Sequence, residues 1–254
     1  MPKNKRRLIL ARGLGAAAAW TLAGCDRLSR SEWFPPILQA GERLSDSAQH
    51  LVTSRQSMAQ EFSEADLSPE FRSNGTARPN DAQYQALAAG GFKDYRLQVG
   101  GLVERSAAFS LAELRALPSR TQITRHDCVE GWSAIGKWKG VQLSRVLERV
   151  RPSAGARYAV FRCADALEEG GVKYYESVDL EDAYHPQTIL AYELNGQALP
   201  MANGAPIRVR IERQLGYKMA KYIMGIELVA SYDRIGGGKG GYWEDLGYQW
   251  YAGI

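Results

Sequence analysis

Residues 125–132 read RHDCVEGW, and the cysteine at their centre, Cys128, restricts the nature of the chain more than any other residue. The sequence holds only two other cysteines, Cys25 and Cys163, and neither lies next to it. Structural zinc modules need paired Cys or His at short spacing, and no such pair is present. A single thiolate in a polar, glycine-bounded turn suits a nucleophile, or one soft ligand to a metal whose other ligands come from a cofactor.

Residue type alone leaves three other interpretations of Cys128 open. An isolated cysteine is often a buried, small apolar side chain without chemistry. In an exported protein it could form a disulfide with Cys163, which would favour a non-catalytic, membrane-tethered binding protein. Beside His126 or His185, it could instead be the nucleophile of a Cys/His hydrolase or transferase.

Residues 1–25 have the composition of an export signal. Five cations and no acid precede a weakly apolar stretch, Gly13–Ala23, that is too short to span a membrane. The Arg6-Arg7 pair resembles the twin-arginine signal, which exports proteins that are already folded. Residues 22–25, Leu-Ala-Gly-Cys, are similar to a bacterial lipobox, which would place a lipid on Cys25. We therefore expect a periplasmic protein that is tethered to the membrane if Cys25 is lipidated.

The charge of the chain excludes one class of partner. The formal net charge is +4 over 254 residues, but the five cations of the signal are included in it, so the remainder carries about −1. No basic run with interleaved aromatic residues occurs outside the signal. The sequence therefore does not predict nucleic-acid binding.

The rest of the chain divides by composition into three parts. Residues 26–90 are polar with little periodicity and are expected to be extended or wrapping chain. Residues 91–232 hold the regular elements, and residues 233–254 form a Gly- and aromatic-rich tail. Within the first part, residues 74–76 match a glycosylation acceptor, which has no meaning beside a bacterial-type signal.

Hydrophobic periodicity predicts both helices and strands in residues 91–232, without a regular βαβ rhythm, so the class is α+β. A capping box at Ser110–Glu113 begins one helix, and Gln142–Val150 has the apolar face of another. Asn195-Gly196 marks a hairpin, and residues 207–212 alternate apolar with charged side chains, which is typical of a half-buried strand. Further strands are predicted at Tyr95–Val99, Tyr158–Arg162, Val172–Tyr175, Ile189–Leu194 and Gly225–Ser231.

Two blocks of cations and flexible backbone follow in the second half of the chain. Asn203 and Arg208 lie where a Gly-rich turn leads into the alternating strand. Further along the chain, Gly216–Lys221 adds Lys218 and Lys221 beside free backbone amides. Cations and amides that converge on one layer of loops are the groups that bind a phosphate.

Together, His126–Trp132, Asn203–Arg208 and the block at Lys221 resemble the sulfite-oxidase-like molybdopterin oxidoreductases. The branch they resemble most is that of the catalytic subunits of periplasmic methionine-sulfoxide reductase. The resemblance covers about Asn80–Ser231. It implies a mixed-sheet, single-domain molybdopterin-binding fold of the α+β class, and an enzyme with one molybdenum-molybdopterin per chain.

The resemblance also implies roles for individual residues. Cys128 matches the cysteine that ligates molybdenum, where the dithiolene of the pterin supplies two more sulfurs. Cys163 falls where this branch usually has Thr and is expected to be at most a weak donor to the cofactor. The positions that match residues holding the pterin and its phosphate are Asn80, Tyr84, Asn203, Arg208, Met219, Ala220 and Lys221, the first two at a spacing one residue longer than in the family.

The residues after Cys128 bear on the substrate. Sulfite oxidases carry an Arg pair shortly after the metal cysteine, whereas this chain has Val129 and Glu130. A neutral sulfoxide is therefore expected rather than the sulfite dianion, and sulfite oxidation is the alternative within the family. No CxxCH haem motif is present, so electrons are expected from a separate haem- or quinone-linked membrane subunit.

Overall fold

The computed structural model describes residues 56–168 and 170–254 and, before them, only residues 31–34, 36, 37, 40, 41, 44 and 54. The chain forms two compact units, residues 1–57 and residues 58–254. The second unit contains all the elements discussed below. The predicted export signal and Cys25 lie outside the described residues.

The second unit combines strands with short helices, as the α+β prediction requires. The strands are β1 (Arg96–Gly101), β2 (Ala107–Ser110), β3 (Ser119–Cys128), β4 (Trp132–Gln142), β5 (Tyr158–Ala166), β6 (Lys173–Asp179), β7 (Ile189–Leu194), β8 (Gln197–Ala198), β9 (Arg208–Arg210) and β10 (Ile223–Val229). The α-helices are α1 (Ala82–Ala89), α2 (Leu111–Ala116), α3 (Leu143–Val150), α4 (Leu180–Tyr184) and α5 (Tyr242–Asp245). Single 3₁₀ turns occur at Glu64–Asp66, Met201–Asn203 and Gly216–Lys218.

The strands form two sheets. The first has the order β2-β1-β10-β5-β6, in which β1 and β10 are parallel and the other neighbours antiparallel. The second has the order β3-β4-β7-β8, with β9 also paired to β7, and is antiparallel throughout. The mixed first sheet confirms the predicted fold class.

One apolar core joins the two sheets. It includes Leu97 of β1, Phe161 of β5, Leu190 of β7 and Val209 of β9, all at most 2% exposed. The predicted face of α3 is buried in the same core. The capping box of α2 is also formed, because the backbone amide of Ser110 donates to Glu113 Oε2 at 2.7 Å. These elements follow the apolar periodicity from which they were predicted.

The longest hairpin, β3–β4, was not predicted. Ten residue pairs join it, from Ser119 opposite Val141 to Cys128 opposite Trp132. The inward side chains of β3 include Gln122, Thr124 and His126, all at most 1% exposed. Because its inward face is polar, β3 lacks the apolar alternation by which a half-buried strand is recognised.

The strand β9 departs from its prediction in a related way. Alternation placed Arg208 and Arg210 on a polar, solvent-facing side, yet both are fully buried. Trp138 of β4 covers them, with its ring centroid 5.3 Å from Arg208 Cζ and 4.4 Å from Arg210 Cζ. Cation–π contact and hydrogen bonds to the backbone or to acids allow these guanidinium groups to be buried.

The segments on either side of residues 91–232 belong to the same compact unit. Phe71 packs edge-on against Trp138 at 4.9 Å between ring centroids, and Tyr84 of α1 is fully buried. The tail contributes α5, whose Glu244 is 1% exposed. Residues 58–90 thus supply aromatic side chains to the interior of the second unit. None of the described helices is long and apolar enough to cross a membrane.

Candidate active site

A pocket opens at the tip of the β3–β4 hairpin, where Cys128 ends β3. The 3₁₀ turn Gly216–Lys218 and the chain after it form one side, and two segments from outside residues 91–232 form others. The lining residues are Asn74–Thr76, Cys128–Glu130, Asp165, Leu167, Tyr174, Gly216, Tyr217, Met219–Lys221, Trp243 and Tyr248.

Cys128 is a free thiol, 9% exposed, at the edge of this pocket. Burial raises its pKa, against a hydrogen bond from the backbone amide of Glu130 that lowers it. Within the described ranges, no three His, Cys, Asp or Glu side chains cluster as a metal site. The thiol therefore suits a single protein ligand to a metal held otherwise by a cofactor. Cys163 is also free, so the predicted alternative of a Cys128–Cys163 disulfide is wrong.

Lys221 is a buried cation that only neutral groups surround closely. Its ammonium donates to the carbonyl oxygens of Asn74 and Thr76, both at 2.6 Å, and of Ala202 at 2.9 Å. These bonds fasten the loop at residues 74–76 to the turn before Asn203. Burial lowers the pKa of Lys221 to about 7, with Arg208 adding to the effect and Asp165 opposing it.

Arg208 has the same kind of environment. It donates to the carbonyl oxygens of Asn203 at 3.1 Å and of Met219 at 3.0 Å, which holds both predicted cofactor-binding loops together. Burial lowers its pKa to about 9, and the neighbouring Arg210 contributes. Among the described residues no carboxylate pairs with Arg208 or Lys221. Two buried cations therefore lie beside the pocket without a carboxylate in direct contact, and such cations can bind a phosphate group.

Unsatisfied polar atoms surround the same pocket. Four inaccessible atoms have no hydrogen-bond partner within the part of the chain that the structure describes: Asn74 Oδ1, Asp165 Oδ1, Asn203 Nδ2 and Arg208 Nε. Native proteins satisfy such groups, because each orphan costs about 1–3 kcal/mol. Two donors and two acceptors beside two cations fit a group that carries both ring nitrogens and a phosphate, as a pterin cofactor does.

Two other buried cations nearby are paired with acids. Arg210 forms a bidentate ion pair with Glu212, at 2.9 and 2.6 Å. Lys218 Nζ contacts Glu176 Oε1 at 2.5 Å and Glu244 Oε1 at 2.6 Å, and all three side chains are at most 1% exposed. We call Lys218, Glu176 and Glu244 the ion cluster.

His126 lies two residues before Cys128 on the same inward face of β3. Arg210 donates to its Nδ1 at 2.9 Å, and Met219 Sδ lies 3.3 Å from the same atom. Burial, followed by the charge of Arg210, holds the pKa of His126 well below its usual range. A neutral imidazole with Nδ1 occupied by a guanidinium is poorly placed to take a proton from Cys128, which disfavours the Cys/His hydrolase.

The predicted site residues fall into three groups. Cys128, Met219, Ala220 and Lys221 line the pocket. Asn203 and Arg208 stand directly behind them, joined through the hydrogen bonds described above. The structure does not bring the other three predicted residues, Asn80, Tyr84 and Cys163, into this pocket.

The reasons differ for these three residues. Asn80 is exposed and accepts a weak hydrogen bond from Gln85 at 3.4 Å. Tyr84 is buried against Tyr222, and its hydroxyl donates to the carbonyl of Ala205 at 2.7 Å, so it supports the Asn203 loop from behind. Cys163 lies inside the apolar core, where burial raises its pKa well above the usual range.

Sequence analysis missed several pocket residues. In sequence, Asn74–Thr76 matches only a glycosylation acceptor, and Trp243 and Tyr248 lie in the Gly- and aromatic-rich tail, yet all of them line the pocket. Asp165 belongs to no sequence motif. Its spacing of two residues from Cys163 is the only signal that could have found it, because residues two apart in a strand lie on the same face. Burial raises the pKa of Asp165 to about 6.

Comparison with known proteins supports the chemistry of this pocket. The model of the oxidoreductase molybdopterin-binding domain matches residues 85–234. A provisionally named protein-methionine-sulfoxide reductase subunit, YedZ1 of Azospira oryzae, is 38% identical over 98% of this chain and 87% of that protein. The protein-methionine-sulfoxide reductase catalytic subunit MsrP of Ralstonia nicotianae is 33% identical over 89% of this chain and 69% of its own length.

A solved structure supports the fold independently. The sulfane dehydrogenase SoxCD of Paracoccus pantotrophus superposes with a TM-score of 0.50 over 55% of this chain and 39% of its own, at 22% identity. At that identity the likeness establishes only the sulfite-oxidase-like fold. The family model matches more than half of this chain, and the alignment with the Azospira protein spans nearly all of the chain. The chain therefore belongs to the oxidoreductase molybdopterin-binding domain family and is a molybdopterin-dependent oxidoreductase.

Proposed function

We propose that this protein is a periplasmic molybdenum enzyme that reduces a sulfoxide of the methionine-sulfoxide type. In the net reaction the sulfoxide takes up two electrons and two protons, its S–O bond breaks, and a thioether and water are released. The electrons come from a haem- or quinone-linked membrane subunit. The names of the two relatives support the substrate class, and the name of the Azospira protein, a subunit, supports a partner.

The residues around the pocket would hold the cofactor in distinct ways. The Cys128 thiolate would ligate molybdenum, while Asn203 and Arg208 offer the unsatisfied donors for the pterin and its phosphate. Lys221 would contribute its buried charge and fix the loops at residues 74–76 and 202. The bound molybdenum centre would supply oxygen-atom transfer and two-electron redox chemistry, which side chains cannot perform.

The observation that carries the choice of substrate is the composition of the pocket beside Cys128. Glu130 lines the pocket together with three aromatic side chains, those of Tyr217, Trp243 and Tyr248. No described arginine lines it. Because Lys221 and Arg208 are assigned to the cofactor phosphate, the charge left for the substrate is that of Glu130, which repels a dianion, and the aromatic side chains do not solvate one. A neutral sulfoxide therefore fits better than sulfite.

Turnover of the matured protein tests the proposal. Protein purified with its cofactor is expected to contain about one molybdenum per chain and to oxidise a reduced viologen dye when methionine sulfoxide is added. Cys128→Ser is expected to lose this activity. A wild-type enzyme that oxidises sulfite but reduces no sulfoxide would establish the alternative reaction, and a molybdenum-free protein with full activity would exclude both.

Export through the twin-arginine pathway remains a proposal that rests on residues 1–25. A cofactor that must be inserted before export requires a pathway that carries folded protein. Arg6→Lys with Arg7→Lys keeps the charge and removes the guanidinium pair. We expect this double variant to accumulate in the cytoplasm with cofactor bound. Normal export of an equally active double variant would contradict the proposal.

A further inference from the structure

We propose that the C-terminal segment Gly241–Trp250 is the substrate-facing wall of the pocket, that Trp243 and Tyr248 determine which sulfoxides bind, and that the ion cluster positions them. The inference rests on the proposed function and extends it from the reacting sulfur to the rest of the substrate. The segment lies beyond residues 85–234, the part of the chain that the family model matches.

The wall consists of stacked aromatic rings. Trp243 and Tyr248 line the pocket and stack on each other, with ring centroids 5.3 Å apart and an angle of 29° between their planes. Tyr217, from the 3₁₀ turn Gly216–Lys218, meets Tyr248 edge-on at 5.2 Å. A thioether or sulfoxide sulfur with its methyl group makes favourable contacts with such rings at about 5 Å.

The segment is tied to the turn that forms the rest of the pocket. Tyr217 donates from its hydroxyl to the carbonyl of Gln249 at 2.6 Å, and Tyr174 donates to the carbonyl of Tyr217 at 2.5 Å. Trp250 Nε1 donates to Ser177 Oγ at 2.9 Å. The wall therefore joins β6 and the 3₁₀ turn in one arrangement.

The ion cluster lies at the centre of this arrangement. Lys218 extends from the 3₁₀ turn, Glu176 from β6 and Glu244 from α5, next to Trp243. The ammonium bridges the two carboxylates, and the indole of Trp250 lies 5.3 Å from it. We infer that this buried ionic contact between three segments fixes their register, as single buried polar groups do in some proteins.

The lack of room around Gly241 shows how closely the C-terminal segment approaches the ion cluster. A Cβ at Gly241 would lie 2.0 Å from Glu244 Oε2 and 2.6 Å from Glu176 Oε1. A methyl group there would collide with both carboxylates of the ion cluster, so either they or α5 would have to shift. The close approach places α5, and with it Trp243, against the pocket.

Substrate selection tests the wall. Kinetics with reduced viologen should compare methionine sulfoxide, whose carbon chain reaches the rings, with dimethyl sulfoxide, which has only methyl groups. For Trp243→Ala and Tyr248→Ala we expect KM for methionine sulfoxide to rise about tenfold, with kcat and cofactor content within about twofold of wild type. The ratio of kcat/KM between the two substrates should fall accordingly. Leu246→Ala, in the same segment but 65% exposed and outside the pocket, is the matched control.

The positioning role of the ion cluster needs its own variants. Glu244→Ala releases α5, and Gly241→Ala pushes it away without changing any charge. Both are expected to raise KM for methionine sulfoxide as Trp243→Ala does and to spare dimethyl sulfoxide, while trypsin cleaves faster at the exposed Lys239. Glu244→Gln keeps an acceptor for Lys218 and is expected to restore part of the selectivity.

The outcomes separate this inference from the proposed function. If the wild type reduces both sulfoxides but the Trp243 and Tyr248 variants keep its substrate ratio, the wall is overturned and the function stands. If the wild type reduces no sulfoxide, the proposed function fails, and the wall is judged by calorimetric binding of methionine sulfoxide. Weaker binding by Trp243→Ala than by Leu246→Ala then supports the wall, and equal or absent binding overturns it.

Discussion

Four cations are buried close together in this protein, and they belong to two different environments. Lys218 and Arg210 are matched by carboxylates, in the ion cluster and in the pair with Glu212. Lys221 and Arg208, three and two residues away along the chain, are matched only by neutral oxygen acceptors, almost all of them carbonyl oxygens. The first pair faces the packed interior, and the second stands at and behind the pocket beside Cys128.

The difference separates charges that the fold neutralises by itself from charges left for a ligand. A buried cation costs several kcal/mol unless an anion or a set of strong acceptors compensates it. Carboxylates neutralise the charges of Lys218 and Arg210, so these two cations contribute to the structure. Carbonyl dipoles compensate Lys221 and Arg208 only in part, as the lowered pKa of each shows. An anionic cofactor would complete them.

The largest effect is expected from breaking the ion cluster. Lys218→Met leaves two carboxylates buried without their cation, which costs about 3–5 kcal/mol when one partner of a buried pair is removed. Urea unfolding followed by circular dichroism measures the loss. Adding Glu176→Gln and Glu244→Gln to Lys218→Met removes every charge of the ion cluster, and this triple variant is expected to recover much of the lost stability. If Lys218→Met alone is as stable as wild type, the ion cluster does not stabilise the fold.

The next effect concerns Asp165, the carboxyl that lies at the pocket without an ion pair to Lys221. Burial raises its pKa from 3.8 to about 6. Between these values the folded protein keeps a proton that the unfolded chain releases, so stability is lost as the pH rises through this window. Asp165→Asn removes that loss. Its stability relative to wild type should therefore increase by up to roughly 3 kcal/mol from pH 3.5 to pH 6.5.

Urea titrations of cofactor-free wild type and variant across that range measure the difference. Above pH 6.5 the difference is expected to stay constant. A difference that does not change between pH 3.5 and pH 6.5 would mean that the pKa of Asp165 is the same in the folded and unfolded states, and that the pocket is more polar than its geometry indicates.

A somewhat smaller effect is expected on cofactor retention. Arg208→Gln and Lys221→Gln each remove a charge-assisted contact worth about 1.5–3 kcal/mol, so molybdopterin content should fall at least about tenfold under limiting cofactor. Fluorescence of the oxidised pterin after extraction measures it. Arg145→Gln, on the exposed face of α3, is the control and should retain the cofactor. If these variants unfold more easily but keep their full molybdopterin content, then Arg208 and Lys221 stabilise the fold, as Lys218 and Arg210 do, and do not bind the cofactor.

The smallest effect is expected for an ion pair on the protein surface, which serves as a reference for the buried cations. Arg145 and Glu148 pair at 3.1 Å on the surface of α3, both about half exposed. Glu148→Gln is expected to cost at most about 0.5 kcal/mol, and less at high salt. A loss comparable to that of Lys218→Met would mean that burial is not what distinguishes the buried cations.

The sequence predicts the apolar elements of the fold well and its buried polar elements poorly. The strand at Leu97, the helix α3 and the hairpin after β7 follow apolar periodicity or turn chemistry, and all are present. Strand β3 was missed because its inward side chains are polar. In β9 the alternation was recognised, but Arg208 and Arg210 are buried rather than exposed. Periodicity treats polar residues as solvent-facing, and a cofactor pocket reverses that assumption.

The candidate site shows the same division. Cys128 and the Met219–Lys221 block were found from local motifs, and the structure brings them together. Asn74, Trp243 and Tyr248 reach the pocket only through tertiary contacts of segments that look irregular in sequence. Tyr84 was expected at the cofactor and instead supports the Asn203 loop through Ala205. Sequence spacing could not distinguish a residue that lines a pocket from one that stands behind it.

The length of the β3–β4 hairpin has a consequence for how this chain can vary in evolution. Ten paired residues lead to Cys128, and side chains alternate between the two faces of the sheet. A one-residue deletion or insertion within β3 would turn the thiol to the opposite face. A two-residue change would restore its direction but displace it by about 7 Å along the strand. Relatives that keep this cysteine are therefore expected to differ between Ser119 and Cys128 by substitution only, with no gap in their alignment.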